Sequence, residues 1–137
     1  MVRLSLARVM GLSSHFFILM LSRFLLSLLL LGAAAPAAQA KQCGEASFYG
    51  TASDGYAWQT MANGRPMNPA AMTAAHPSLP LGTKLLVTNR DNGRQVVLTI
   101  ADRGPFYGGR ILDMSAGSFS RIAKQSQGVA RVCIARL

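Results

Sequence analysis

Acidic residues, histidine and cysteine are all scarce in this chain. Its 137 residues include five Asp and Glu, two His and two Cys. Five acids against 14 Lys and Arg leave a formal net charge of +9. A basic balance of that size suits a polyanionic partner such as an anionic cell wall or membrane surface. The Arg residues are scattered rather than clustered, so an ordinary solvated basic surface is an equal reading. Cys43 and Cys133 lie far apart with no histidine close to either, which argues against a Cys/His metal site, whose ligands come in closely spaced pairs. Neither a metal nor any other cofactor is expected. Internal repeats and low-complexity stretches are missing beyond residue 40, as befits one small domain.

The 50% hydrophobic content is unevenly placed. Residues 1–40 begin with Arg3 and Arg8, run through apolar segments at 15–22 and 24–35, and end in Ala38-Gln39-Ala40. A basic start, an apolar middle and a small-residue end make a secretory signal peptide cleaved after Ala40. Residues 16–35 also approach the roughly 20 residues that span a bilayer. Arg23 interrupts that run, however, and the Ala-x-Ala ending is what a signal peptidase reads. Residues 41–137 then form the mature domain, periplasmic or secreted and read as a monomer. Without Arg3, Arg8 and Arg23 the 14 bases become 11 against five acids, about +6. Export argues against nucleic acid as the polyanion, and cleavage leaves no membrane attachment. In an oxidising compartment Cys43 and Cys133 are expected to pair. Closing a loop of about 90 residues contributes about 4–5 kcal/mol in the chain-entropy view, a useful staple for a small core.

Along the mature part, residues 45–49 make a first short strand and residues 50–64 an irregular loop carrying Tyr56 and Trp58. Long irregular loops in small domains are commonly functional. Its aromatics either stack on sugar rings or tuck the loop over the core. Residues 70–76 form a short apolar segment ending in His76-Pro77. His76 either hydrogen-bonds a catalytic acid or substrate hydroxyl, or is a satisfied structural histidine. Residues 83–89 and 95–102 are β-rich runs about Asn92-Gly93, a strong hairpin turn. Ser115 is placed to cap a short helix through Phe119, Ile122 and Ala123, ending near Gly128. Residues 129–135 close the domain as a strand carrying Cys133. At least five strands and one helix make a mainly-β barrel.

The chemistry concentrates in residues 99–115. One apolar strand ends in Asp102, an Arg-Gly-Pro turn and a Gly-Gly pair follow, and a second strand delivers Asp113. Alternation puts Val96, Leu98, Ile100 and Asp102 on one strand face. A carboxyl that prolongs an apolar row loses hydration and is suited to donate a proton near neutral pH. The structural alternative is a strand-end Asp paired with Arg103 or Arg110.

These blocks resemble a known family. Gly44-Glu45-Ala46-Ser47-Phe48-Tyr49-Gly50, Ala62-Asn63-Gly64, Met72-Thr73-Ala74-Ala75-His76-Pro77-Ser78-Leu79-Pro80-Leu81-Gly82-Thr83, Val87-Thr88-Asn89, Asp102-Arg103-Gly104-Pro105-Phe106 and Gly109-Arg110-Ile111-Leu112-Asp113-Met114-Ser115 closely resemble the rare lipoprotein A (RlpA) family, across nearly the whole mature chain. The resemblance implies a six-stranded double-psi β-barrel with one or two short helices, a fold shared with expansins. It further implies a lytic transglycosylase that cleaves peptidoglycan glycan strands, preferring those stripped of stem peptides. By position, Asp102 is the family's catalytic Asp, His76 its active-site His and Asp113 its second acid. Tyr49, Asn63, Arg103 and Phe106 are expected near the glycan.

Where the family reads Asn-Gly-Glu, this chain reads Asn63-Gly64-Arg65; Asn68 stands for a family Asp and Met61 for a Thr. Lytic transglycosylation needs fewer groups than hydrolysis. One carboxyl can protonate the glycosidic oxygen and then, ionised, take the proton of the muramoyl C6 hydroxyl as a 1,6-anhydro ring closes. Arg65 within about 4–6 Å of Asp102 would hold that acid ionised; alternatively it binds an acidic glycan group such as a lactyl carboxylate. The other readings are a non-catalytic, expansin-like glycan-binding or wall-loosening module and a secreted inhibitor or effector on the same barrel. The family's C-terminal peptidoglycan-binding module is not expected after Leu137.

Overall fold

The computed structural model describes residues 40–137, so the proposed signal segment lies, but for Ala40, outside the described residues. The elements are β1 (Gln42–Tyr49), β2 (Thr73–Ala75), β3 (Lys84–Asn89), β4 (Gln95–Asp102), β5 (Arg110–Ser115), α1 (Ala116–Ile122), a 3-10 turn at Gln125–Gln127 and β6 (Ala130–Arg136). The strands close a barrel in the order β1-β5-β2-β4-β3-β6. Strands β1 and β5 run parallel, as do β2 and β4, and the other neighbours are antiparallel.

Period-2 alternation explains the walls. Leu85 and Val87 of β3 and Leu98 and Ile100 of β4 turn inward and are fully buried with Ala46, Leu112, Met114, Val132 and Ile134. Each of the Leu, Ile, Val and Met side chains contributes about 1.5–3 kcal/mol by leaving water. Asn92-Gly93 turns β3 into β4 with Gly93 at φ 72°, a left-handed conformation that glycine adopts without a side-chain clash. Helix α1 closes the core with Phe119 and Ile122, and the Phe119 ring lies 4.7 Å from that of Phe48, centroid to centroid.

Ser115 caps α1, its Oγ accepting from the Ser118 N–H at 3.1 Å, worth about 1 kcal/mol. At the other end the Ile122 carbonyl accepts from Nδ2 of Asn89 (2.8 Å) and of Asn92 (2.9 Å). Asn92 therefore ties the hairpin to the helix as well as making the turn. The helix stops at Ile122 rather than near Gly128 because Ala123 is already extended at φ −153°; Gly128 ends the 3-10 turn instead. Gly117 is needed for close packing, since a Cβ there would lie 2.7 Å from the Pro69 carbonyl oxygen. Cys43 and Cys133 face each other on β1 and β6 and are disulfide-bonded.

Strand β4 departs from simple alternation at its end. Ala74 pairs with Ile100 but Ala75 with Asp102, so Ala101 is an extra residue and forms a bulge. Asp102 consequently does not prolong the Leu98 and Ile100 row. The bulge turns it out of that row, half-buried, into a cleft at the end of the barrel.

Candidate active site

The cleft, about 260 Å³, is lined by Tyr49, Tyr56, Ala75, residues 103–107, Arg110 and the two carboxylates Asp102 and Asp113. Its floor follows from strand register. Ala75 pairs with Asp102 on one side and Asp113 on the other, and Asp113 pairs in turn with Ser47 of β1. The two acids thus stand two strands apart, roughly 10 Å between their backbones at the usual strand spacing. Only a methyl side chain lies between them. Below this floor Tyr49, Met61, Met67, Ala75 and Ala101 form a second buried cluster, separate from the barrel core.

Both oxygens of Asp102 are engaged. Oδ2 accepts from the Tyr49 hydroxyl at 3.1 Å, and Oδ1 accepts from the backbone N–H of Ala62 and of Arg103, each at 2.9 Å. Burial, reinforced by the Asp102 charge and hydrogen bond and by Asp113, pushes the Tyr49 hydroxyl far above its ordinary range, so it remains a donor. The Ala62 donor is held by its loop: the Asn63 N–H reaches the Ala101 carbonyl at 3.1 Å, and Asn63 Oδ1 accepts from the Arg65 N–H at 2.9 Å.

Asp113 lies in a different setting. Oδ1 accepts from the Ser47 hydroxyl at 3.0 Å, and among the described residues Oδ2 has no hydrogen-bond partner and is not sealed from solvent. Burial raises its pKa; Ser47 and Arg110 pull it back, and the charges of Asp54 and Asp102 push it up.

Among the described residues the one ion pair within 4 Å is Arg131 with Asp91, which includes neither cleft acid. Neither Arg103 nor Arg110 therefore neutralises Asp102 at close range, which removes the structural pairing considered for this strand end. Arg65 is exposed, makes no ion pair with Asp102 and does not line the cleft. The Arg103 guanidinium donates from Nη1 to the carbonyls of Leu79 (2.6 Å) and His76 (3.2 Å), so this cleft residue is also a brace.

Tyr49, Asp102, Arg103, Phe106 and Asp113 line the cleft, whereas Asn63, Arg65 and His76 do not. His76 is buried, and its Nδ1 accepts from the N–H groups of Ser78 (3.1 Å) and Leu79 (3.0 Å). Its backbone N–H donates to the Asp102 carbonyl at 3.2 Å. Burial, followed by the Arg103 charge, lowers its pKa, and a neutral ring is what two donors onto Nδ1 require. The imidazole organises the turn behind Asp102. Ser47, Ala75 and Tyr107 belong to the site without having been singled out, and Arg110, considered only as a structural partner of Asp102, lines the cleft. Ser47 was legible, two residues before Tyr49 on the same strand face; Ala75 was not. Phe106 and Tyr107 are 74% and 77% exposed at the rim. Among the described residues no three His, Cys, Asp or Glu gather to hold a metal ion.

Fold and site together define a double-psi β-barrel with a two-carboxylate, aromatic-rimmed cleft. Residues 41–134 match the lytic transglycolase family, and the chain belongs to it. It is 53% identical over 91 residues to a probable endolytic peptidoglycan transglycosylase RlpA of Nostoc sp., covering 66% of this chain and 24% of that protein. It is 42% identical over 92 residues to the endolytic peptidoglycan transglycosylase RlpA of Pseudomonas aeruginosa, covering 67% and 26%. The chain spans between 24% and 41% of the length of such relatives. Among solved structures, a Clavibacter michiganensis expansin in complex with cellohexaose is similar at TM-score 0.55 and 21% identity, over 72% of this chain and 50% of that one. Streptomyces papain inhibitor is similar at 0.52 and 22%, over 69% and 92%. These two share the fold.

Proposed function

We propose that this barrel is an endolytic lytic transglycosylase. It cleaves the linkage between N-acetylmuramic acid and N-acetylglucosamine in peptidoglycan strands, forms a 1,6-anhydro end and prefers glycan stripped of stem peptides. The observation that carries this reading is Asp102: a carboxylate on an open cleft, oriented by three donors and, among the described residues, without an ion pair. A group so held is positioned to exchange a proton with a bound sugar. Tyr49, Arg103, Phe106 and Asp113 contact the glycan, the exposed rings of Phe106 and Tyr107 stacking on sugar faces. Asn63 and His76 act one step back, by holding the Ala62 donor and the Arg103 brace. Arg65, exposed on the Ala62 loop, binds an acidic group of the glycan.

The mature domain, residues 41–137, works as a monomer on peptidoglycan outside the cytoplasm, after removal of residues 1–40. Its basic surface favours an anionic wall.

Mass spectrometry of products from denuded glycan tests the reading. The mature domain is expected to release anhydro-ended fragments, and Asp102→Asn to release none while melting normally. Reducing-end sugars alone, or no cleavage, would refute it. The second reading, a non-catalytic expansin-like binder, is favoured by the exposed aromatic rim. It predicts binding to purified sacculi with no cleavage and no gain from Arg65→Glu, a substitution expected to raise the activity of an enzyme.

A further inference from the structure

We infer that the two cleft carboxylates divide the reaction, Asp113 giving the proton to the departing sugar oxygen and Asp102 taking the proton of the attacking C6 hydroxyl. The inference rests on the proposed transglycosylase reading and replaces its simplest form, in which Asp102 serves both turns.

Hydrogen-bond geometry separates the two groups. Three donors point at Asp102, from Tyr49, Ala62 and Arg103, and the two backbone N–H groups on Oδ1 can only donate. A proton carried on Oδ1 would have to displace one of those two backbone contacts. It is therefore set up as an acceptor. Asp113 has one donor, Ser47, on Oδ1, leaving Oδ2 free to carry a proton toward the cleft. The register places the two acids on either side of Ala75, so a sugar seated over that methyl group meets one acid on each flank. Burial is the main influence raising the Asp113 pKa, with Asp54 and Asp102 adding to it and Ser47 and Arg110 opposing it. Two carboxyls whose environments differ in this way are suited to opposite roles.

The step balances without a further reagent. The Asp113 O–H proton passes to the oxygen leaving C1 of the muramoyl residue, and that C1–O bond breaks. The C6 oxygen bonds to C1 and its proton goes to Asp102. Asp113 ends ionised and Asp102 protonated, and solvent in the open cleft restores both.

An activated substrate distinguishes the roles, because a leaving group that departs as a stable anion needs no general acid. Wild type, Asp113→Asn and Asp102→Asn would be assayed on denuded glycan and on a 2,4-dinitrophenyl β-glycoside of N-acetylmuramic acid, reading dinitrophenolate release and anhydro product. Asp113→Asn is expected to lose about 10²- to 10⁴-fold on glycan and to stay within several-fold of wild type on the aryl glycoside. Asp102→Asn should lose activity on both. Ser47→Ala removes the one donor to Asp113 and should move the alkaline limb of kcat/KM to higher pH. Equal losses for Asp113→Asn on both substrates, no loss on either, or rescue of Asp102→Asn instead would overturn the division of roles. Absence of anhydro product from wild type on either substrate would instead refute the transglycosylase reading itself.

Discussion

Strand β1 begins at a covalent staple and ends at a cleft. Near its start, Cys43 is bonded to Cys133, and the barrel interior beside it is apolar and fully buried. Near its end, Ser47 and Tyr49 reach two partly buried carboxylates, and the neighbouring segments are loops held by hydrogen bonds. One end is closed around apolar side chains and the other keeps two partly buried carboxylates on an open cleft. Such sites cost stability and are retained where they do chemistry. If that division holds, changes at the stapled end should alter melting and spare turnover, and changes at the cleft should do the reverse.

The largest effect is expected from Asp102→Asn, with glycan cleavage falling about 10²- to 10⁴-fold and thermal melting little changed. A large drop in melting temperature would mean that Asp102 belongs with the structural end. Removing the disulfide by Cys43→Ser with Cys133→Ser should cost about 2–5 kcal/mol in denaturant unfolding, while kcat below the new melting transition stays near wild type. His76→Ala should cost about 1–3 kcal/mol by stranding the Ser78 and Leu79 N–H groups, with a smaller loss of turnover through the displaced Arg103 brace.

The same histidine sets a pH dependence. Its folded pKa is lowered, chiefly by burial, so the unfolded chain takes up its proton first. Stability is full above the unfolded value of about 6.5 and declines as pH falls from there through the folded value. Thermal melting between pH 7.5 and 4.5 should show that decline in wild type, reduced in His76→Gln. Asp113 has the opposite sign, because its pKa is raised. Its ionisation destabilises the fold as pH rises above the ordinary carboxylate value. Asp113→Asn should therefore melt slightly higher at pH 7, by about 2–4 °C, the size that ~0.5 kcal/mol gives in a domain of this length. That gain should vanish below about pH 4. The smallest effect belongs to the rim, where Phe106→Ala should raise KM about 2- to 10-fold, as loss of one stacking contact does, and leave melting unchanged.

Much of the barrel was legible because its signals are local. Alternating Leu and Val, Asn92-Gly93 and the Ser115 cap each act within a few residues, and the hairpin of β3 and β4 and the start of α1 fall where these signals put them. The short β2 was less legible, since three residues carry little periodicity. In the site, Asp102, Asp113, Tyr49, Arg103 and Phe106 could be picked out by residue type and motif. His76 could be picked out too, but not the direction of its ring, which the Ser78 and Leu79 amides decide. By sequence Arg65 is a candidate neighbour of Asp102 because it stands where the resembling family has an acidic active-site residue. Its loop instead offers Asp102 a backbone N–H from Ala62 and leaves the guanidinium in solvent.

The amino-acid sequence alone determined which segments become strands apart from the short β2, where the chain turns, that two cysteines bracket the domain, and which acids are available for chemistry. Tertiary structure alone decided that Asp102 and Asp113 flank one alanine methyl, that three donors converge on the first acid and one on the second, and that His76 faces a turn. The physical reason is register. A bulge of one residue in β4 and the pairing of β4, β2, β5 and β1 set these neighbours, and such pairings join residues that local periodicity never compares.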